Sequence, residues 1–223
     1  MSKQKSSWTP LQIITHIGAF YPLGQLAWDF WFGSPVSPLM INPFQELTFR
    51  TGKAALILLL LSLACTPINT AFGLRQVIPV RKPLGNYAFM YAALHFVIFI
   101  VDNGVVSNSL SLAALYEATF EKLFALVGFG AFMILLALAL TSNQWAMRQL
   151  RKNWKRLHRL VYVAGLLAII HFVWLVKSDI REPLAYGAVL TVLLVLRIPA
   201  VRRYLVNLRR RFKNRDRAVM DRA

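Results

Sequence analysis

The chain has 223 residues, 57% of them hydrophobic and 16% charged, with a mean hydropathy of +0.50. A water-soluble domain of this size cannot bury that much apolar surface, so the composition points to an integral membrane protein. The net charge of +17 would suit nucleic acid. The basic residues, however, cluster between apolar runs and in the tail, where the positive-inside rule puts them, and this argues against nucleic-acid binding.

Residues 1–10 are polar and basic and read as a cytoplasmic N-terminus. The first apolar run, Leu11 to Phe32, is too long for the core of a signal peptide and no A-x-A site follows, so it reads as an uncleaved anchor. It carries His16. The proline-rich loop after it, residues 33–44, cannot be helical throughout. The second span covers Thr48 to Ile68, with Arg50 and Lys53 able to snorkel back to the headgroups. The loop Asn69 to Pro83 has only basic charges: Arg75, Arg81 and Lys82. The third span, Leu84 to Val101, holds His95 in its outer half. A polar loop with Asp102, Asn108 and Glu117 leads to the fourth span, Phe120 to Leu140, which has no candidate ligand.

The next loop is the most basic, with Arg148, Arg151, Lys152, Lys155 and Arg156. The stretch Asn153 to Lys177 follows and carries two histidines, His158 and His171. A turn, Ser178 to Pro183, precedes the sixth span, Leu184 to Val201. The tail from Arg202 reads as a basic helix in water or on lipid headgroups. The predicted fold is therefore all-α: a bundle of six transmembrane helices over residues 11–201, with a basic cytoplasmic tail over residues 202–223. Of the 26 Lys and Arg, 21 fall on the side of the termini and five on the other, so both termini are expected in the cytoplasm. All six tryptophans lie near span ends, as an interfacial belt requires. The one cysteine, Cys65, excludes an intramolecular disulfide and a CxxC metal site and reads as a small core residue.

Ionisable side chains inside a span are costly, so their default reading is functional. Imidazole is the usual axial ligand of haem iron. His95 lies seven residues before Asp102 and His171 six before Lys177, so both sit roughly 10 Å from the outer boundary on helices running the same way. Two histidines at one depth in one bundle are what a bis-imidazole haem needs. His158 lies near the inner boundary, about 20 Å from His171 along a straight helix and roughly 140° round from it. That angle places the two sites on different sides of the helix, or requires local overwinding or a bulge, with Gly165 a candidate position. The partner of His158 stays open: His16 is one candidate, and the positions of matching depth before His95 are Arg81 and Lys82. That basic pair suits a phosphate, or is only topogenic. Zinc is a weaker reading, because the histidines lie at two depths without a cysteine or paired carboxylates. The chain has no GxGxxG, Walker A or CxxCH motif, so an electron donor and acceptor would both lie outside it.

Three blocks carry a resemblance: TGKAALILLLLSLACTPIN (51–69), RKPLGNYAFMYAALHF (81–96) and KRLHRLVYVAGLLAIIHFVW (155–174). Together with His16 ahead of Gly18 and Pro22, they resemble the MsrQ (YedZ) family, within the ferric-reductase-like transmembrane group. The one departure is the basic run before the LG, here interrupted as Pro79-Val80-Arg81-Lys82-Pro83. The resemblance implies a haem-binding subunit of the bacterial periplasmic methionine-sulfoxide reductase system. It implies one or two b-type haems, FMN, and a multi-pass location in the inner membrane. It also implies electrons arriving from the quinone pool or a cytoplasmic flavin reductase. They would leave to a periplasmic molybdopterin enzyme that repairs oxidised methionine, so the sulfoxide chemistry would sit on that partner. His95, His171 and His158 are then the expected metal ligands, with His16, Arg81 and Lys82 as further cofactor-binding candidates. Two other classes fit the spans alone: a proton-coupled transporter with relay histidines, and a structural subunit whose histidines join helices. A visible spectrum separates all three.

Overall fold

The computed structural model describes residues 9–34, 36–103, 116, 119, 121–176 and 179–220, with side chains as far as 211. The expectations for the first eight residues, for Asn108, Glu117 and Phe120, and for Lys177 and Ser178 lie outside that set. Every regular element described is helical: α1 (Pro10–Phe32), α2 (Pro38–Ile41), α3 (Pro43–Phe72), α4 (Arg81–Val101), α5 (Leu123–Leu140), α6 (Gln144–Leu157), α7 (Val161–Leu175), α8 (Arg181–Val195) and α9 (Pro199–Met220).

Four helical segments are long and apolar enough to cross a bilayer: Pro43–Phe72, Arg75–Val101, Leu123–Leu140 and Gln144–Leu175. A fifth forms if Arg181–Val195 and Pro199–Arg211, bent by 75°, count as one span. The sequence reading expects six. The difference is α1, which at 23 residues is long enough but carries Gln12, His16, Pro22, Gln25 and Asp29. Those residues dilute its hydropathy below that of an ordinary span.

The helices start and stop for local reasons. Thr9 caps α1 in a capping box: its hydroxyl accepts from Gln12 N while Gln12 Oε1 accepts from Thr9 N at 2.8 Å. Gly73 ends α3 in the left-handed region at φ 75°, where a side chain would be strained. Two prolines sit inside helices and free carbonyls. Pro67 in α3 has no N–H for Leu63 O, and Arg197 Nη2 donates to that oxygen at 2.6 Å instead. Arg197 Nη1 also donates to Tyr162 OH. Pro22 loosens α1 beside Ala19, whose carbonyl accepts from the buried Tyr91 hydroxyl at 2.6 Å.

Small residues let the helices approach. Ala88 on α4 and Ala164 on α7 are fully buried, and Gly165 and Gly187 each leave room for a leucine or isoleucine across the α7–α8 contact. One polar group bonds across helices here: Ser62 Oγ donates to Arg81 O at 2.8 Å, joining α3 to the start of α4. Cys65 is buried with its thiol directed to Leu61 O, a core role.

The stretch Asn153 to Lys177 is not one straight helix. α6 ends at Leu157, His158–Leu160 form a 3-10 turn, and α7 begins at Val161. The overwinding therefore falls at His158 itself, and Gly165 lies inside regular helix. Three residues at about 120° rather than 100° narrow the angle between His158 and His171 from roughly 140° to roughly 80°. The sixth span is also shorter than expected: α8 stops at Val195, and the basic tail helix begins at Pro199 rather than Arg202.

Candidate functional site

His95 on α4 and His171 on α7 meet in the core of the bundle. Their ring centroids are 6.1 Å apart and the ring planes cross at 89°. Each ring is held from behind in the same way. His95 Nδ1 lies 2.8 Å from Thr48 O, and His171 Nδ1 lies 2.6 Å from Phe124 O. A carbonyl accepts only, so each Nδ1 carries the proton and each Nε2 keeps its lone pair, the arrangement typical of metal-ligating histidines. Both carbonyls lie within helices, where a carbonyl oxygen can accept more than its helix bond. The rings fit because the facing residues are glycines. A Cβ on Gly52 would stand 2.9 Å from His95 Nδ1, and one on Gly128 would stand 2.6 Å from His171 Nδ1.

The two histidines line a cavity of about 1160 Å³, its open mouth included. Its wall is mainly Phe, Leu and Ala, and Lys53 is the single permanently charged residue among the described ones that line it. This site fits a haem. A metal about 2 Å from each Nε2, with roughly 1 Å more to each ring centre, sets the centroids about 6 Å apart. The charges near it are paired: Arg50 with Asp29 and Glu46, and Lys53 with Glu182.

A second cavity, about 1430 Å³ with its open mouth included, lies toward the end of the helices that the sequence reading expects to face inward, and shares Leu59 and Leu135 with the first. His158, Arg81 and Lys82 all line it, beside Lys155 and Arg159. His158 is turned away from a ligand pose. Thr141 donates its hydroxyl to Ala137 O at 2.7 Å and so accepts from His158 Nε2 at 3.2 Å. The imidazole stacks on Trp154, 4.0 Å between centroids, and the indole N–H donates to Thr141 O. His16 lines neither cavity. Its Nδ1 lies 2.7 Å from Tyr87 OH, a contact between α1 and α4. Among the described residues no group of three or more His, Cys, Asp or Glu could hold a metal ion.

Residues 51–169 match the family model described as ferric reductase like transmembrane component. The match takes in His95 and His158 and stops two residues short of His171. A relative from Xanthomonas axonopodis pv. citri, named protein-methionine-sulfoxide reductase heme-binding subunit MsrQ, is 41% identical over 204 residues, covering 89% of this chain and 90% of its own. One of the same name from Bordetella pertussis is 42% identical over 174 residues, covering 77% and 82%.

The chain belongs to the MsrQ family.

The core around the two histidines is built twice in this chain. A constant offset of 76 residues carries Thr48 onto Phe124, Gly52 onto Gly128 and His95 onto His171. It also carries Ala88 onto Ala164 and the triplet His95-Phe96-Val97 onto His171-Phe172-Val173. Both Nδ1 contacts span 47 residues. All the described lining of the outer cavity except Thr119 falls into pairs at this offset. The inner cavity follows the same rule in part, and there Lys82 stands where the second copy has His158. Reading each histidine by depth misses Gly52 and Gly128. The self-match at 76 residues is the signal that would have found them.

Proposed function

We propose that the chain is the haem-binding, electron-carrying membrane subunit of a protein-methionine-sulfoxide reductase system. The observation that carries this is the His95–His171 pair, two imidazoles 6.1 Å apart with both Nδ1 atoms held by backbone carbonyls. A b-type haem bound there supplies one-electron storage at low reorganisation cost. His95 and His171 hold it by their Nε2 atoms, the carbonyls of Thr48 and Phe124 fix the tautomers, and the phenylalanine-lined wall keeps water out.

In this reading α1 is a span despite its polar residues, giving six spans with both termini in the cytoplasm of a bacterial inner membrane. The basic inner face, including α6 and α9, then rests against anionic lipid. The inner cavity is the entry side. Its four cations, with Trp154 and Tyr162 for stacking, suit FMN or a second haem passing electrons from a quinone or a cytoplasmic flavin reductase. The recipient is a periplasmic molybdopterin subunit, which carries the sulfoxide chemistry. The named relatives support the assignment by what their names say they bind and belong to.

The test is the optical spectrum and haem stoichiometry of the purified chain. A Soret band with sharp α and β bands on reduction is expected. A colourless protein at full yield from haem-replete cells would overturn the assignment and favour a transporter or structural subunit.

A further inference from the structure

The outer cavity is nearly two-fold symmetric in its lining, but a haem is not two-fold symmetric. One edge carries two propionates; the opposite edge carries only methyl and vinyl groups. Something must decide which edge faces which half of the repeat. The 76-residue offset pairs most lining residues type for type or apolar for apolar; Thr48 stands against Phe124, and a single pair differs in charge. Lys53 in the first copy corresponds to Phe129 in the second.

We infer that Lys53 fixes the orientation of the haem by drawing a propionate to its ammonium, while the Phe129 side receives the apolar edge. This rests on the proposed haem site at His95 and His171. Three observations support it. Lys53 follows Gly52, which touches the His95 ring, so its backbone lies at the level of the ligands, while its amine meets Glu182 and the Phe49 ring. It is the only permanently charged group among the described residues lining the cavity. An unpaired propionate in a membrane interior is costly and needs a cation. The opposite side is an aromatic cluster: Phe96 lies 5.7 Å from Phe129 and 4.7 Å from Phe132, which suits methyl and vinyl groups and repels a carboxylate.

Glu182 completes the device. It pairs with Lys53 across the α3–α8 contact and receives a hydrogen bond from Tyr186 OH. It holds the ammonium beside the cavity, and the ammonium is then shared between two carboxylates. A cation near the haem favours the reduced form, which carries one less positive charge, and an anion disfavours it. Lys53 and Glu182 should therefore move the midpoint potential in opposite directions.

The experiment uses the purified, haem-loaded full chain and reads three quantities: haem content, midpoint potential, and the hyperfine-shifted haem methyl resonances of the oxidised form. The wild type should show one set of methyl signals. Lys53→Met should keep His95 and His171 ligation, split the signals into two sets and lower the potential. Glu182→Gln should keep one set and raise the potential. Exchanging the two positions, Lys53→Phe with Phe129→Lys, should return one set, reversed. If Lys53→Met accumulates without haem, wild-type apoprotein loaded with haem dimethyl ester answers the same question, because the esterified edge has no charge for Lys53 to select. Two sets are expected there. A single unchanged set in Lys53→Met, or in the ester-loaded protein, overturns the inference. A wild-type chain that binds no haem sinks the proposed function instead, before orientation arises.

Discussion

Gly128 and His171 are in contact so close that a methyl group on the glycine would stand 2.6 Å from the imidazole Nδ1. No side chain is tolerated at that distance, and the atom it would meet is the one bonded to Phe124 O. Gly128→Ala should therefore push the His171 ring off its carbonyl and out of line with His95. Gly52→Ala does the same to His95 from 2.9 Å, with slightly more room. Both variants should lose most of their haem, Gly128→Ala more than Gly52→Ala, at protein yields near the wild type. Haem per polypeptide by pyridine haemochrome measures this. Full haem in both would mean that the rings are not held where the structure holds them.

His95→Ala and His171→Ala each leave one axial position open and a void beside it. Haem content should fall, and what remains should turn from low-spin to high-spin. His158→Ala should leave the outer spectrum low-spin, because its ring bonds Thr141 and stacks on Trp154 rather than lining the outer cavity. His16→Ala should also spare the spectrum while losing the contact to Tyr87. Absorption and electron paramagnetic resonance spectra of the four variants decide the matter. A low-spin spectrum in both His95→Ala and His171→Ala would move the site elsewhere.

Arg197 and Pro67 form a pair separable by a double-mutant cycle. The proline withholds a donor from Leu63 O, and the guanidinium supplies one. Arg197→Met should destabilise the chain by about 1.5–3 kcal/mol, the usual cost of a lost charge-assisted bond. Pro67→Ala restores the helix N–H for that carbonyl, so the double variant should recover part of the loss. Thermal unfolding in detergent is the readout. Strict additivity of the two changes would show that Arg197 does not serve the carbonyl.

Arg151 has a backbone of φ 45° and ψ −116° inside α6, a conformation that suits glycine. Arg151→Gly should remove strain on the order of 1–3 kcal/mol while deleting a charge from the inner face. With Lys152→Gln it gives a stable chain lacking two cations. Reduction of that chain by an anionic cytoplasmic donor should be slower and less sensitive to salt than in the wild type. Equal rates at low ionic strength would limit the two residues to fixing topology.

The depth of the histidines is legible in the sequence, because a helix rise of fixed size turns residue counts into ångströms. That reading brings His95 and His171 to one level, and their rings do meet. The break at His158 is not legible, since nothing in LHRLVY distinguishes a 3-10 turn from regular helix. It falls where the His158 ring stacks on Trp154 and its Nε2 reaches Thr141. The bend after Val195 is partly legible: Arg197 and Pro199 interrupt the run, and a span drawn to Val201 passes over both. Gly52 and Gly128 look like ordinary small residues of a membrane helix until the rings they accommodate are seen. The positions of Arg81, Lys82 and His158 around one cavity follow from α3, α5 and the turn between α6 and α7, which no single stretch encodes.

Leu59 and Leu135, the residues common to both cavities, also separate them. Both are aliphatic, buried or nearly so, and offer no site for a proton or a water molecule. An electron can tunnel through such a partition, whereas a proton cannot hop across it. A chain that sends electrons outward past these leucines therefore moves charge without a companion ion. With the cytoplasm negative, the membrane voltage assists that movement by up to about 2.3 kcal/mol per charge for each 100 mV crossed. Repair of oxidised protein outside the membrane would then draw on the energised state of the cell as well as on its reductant.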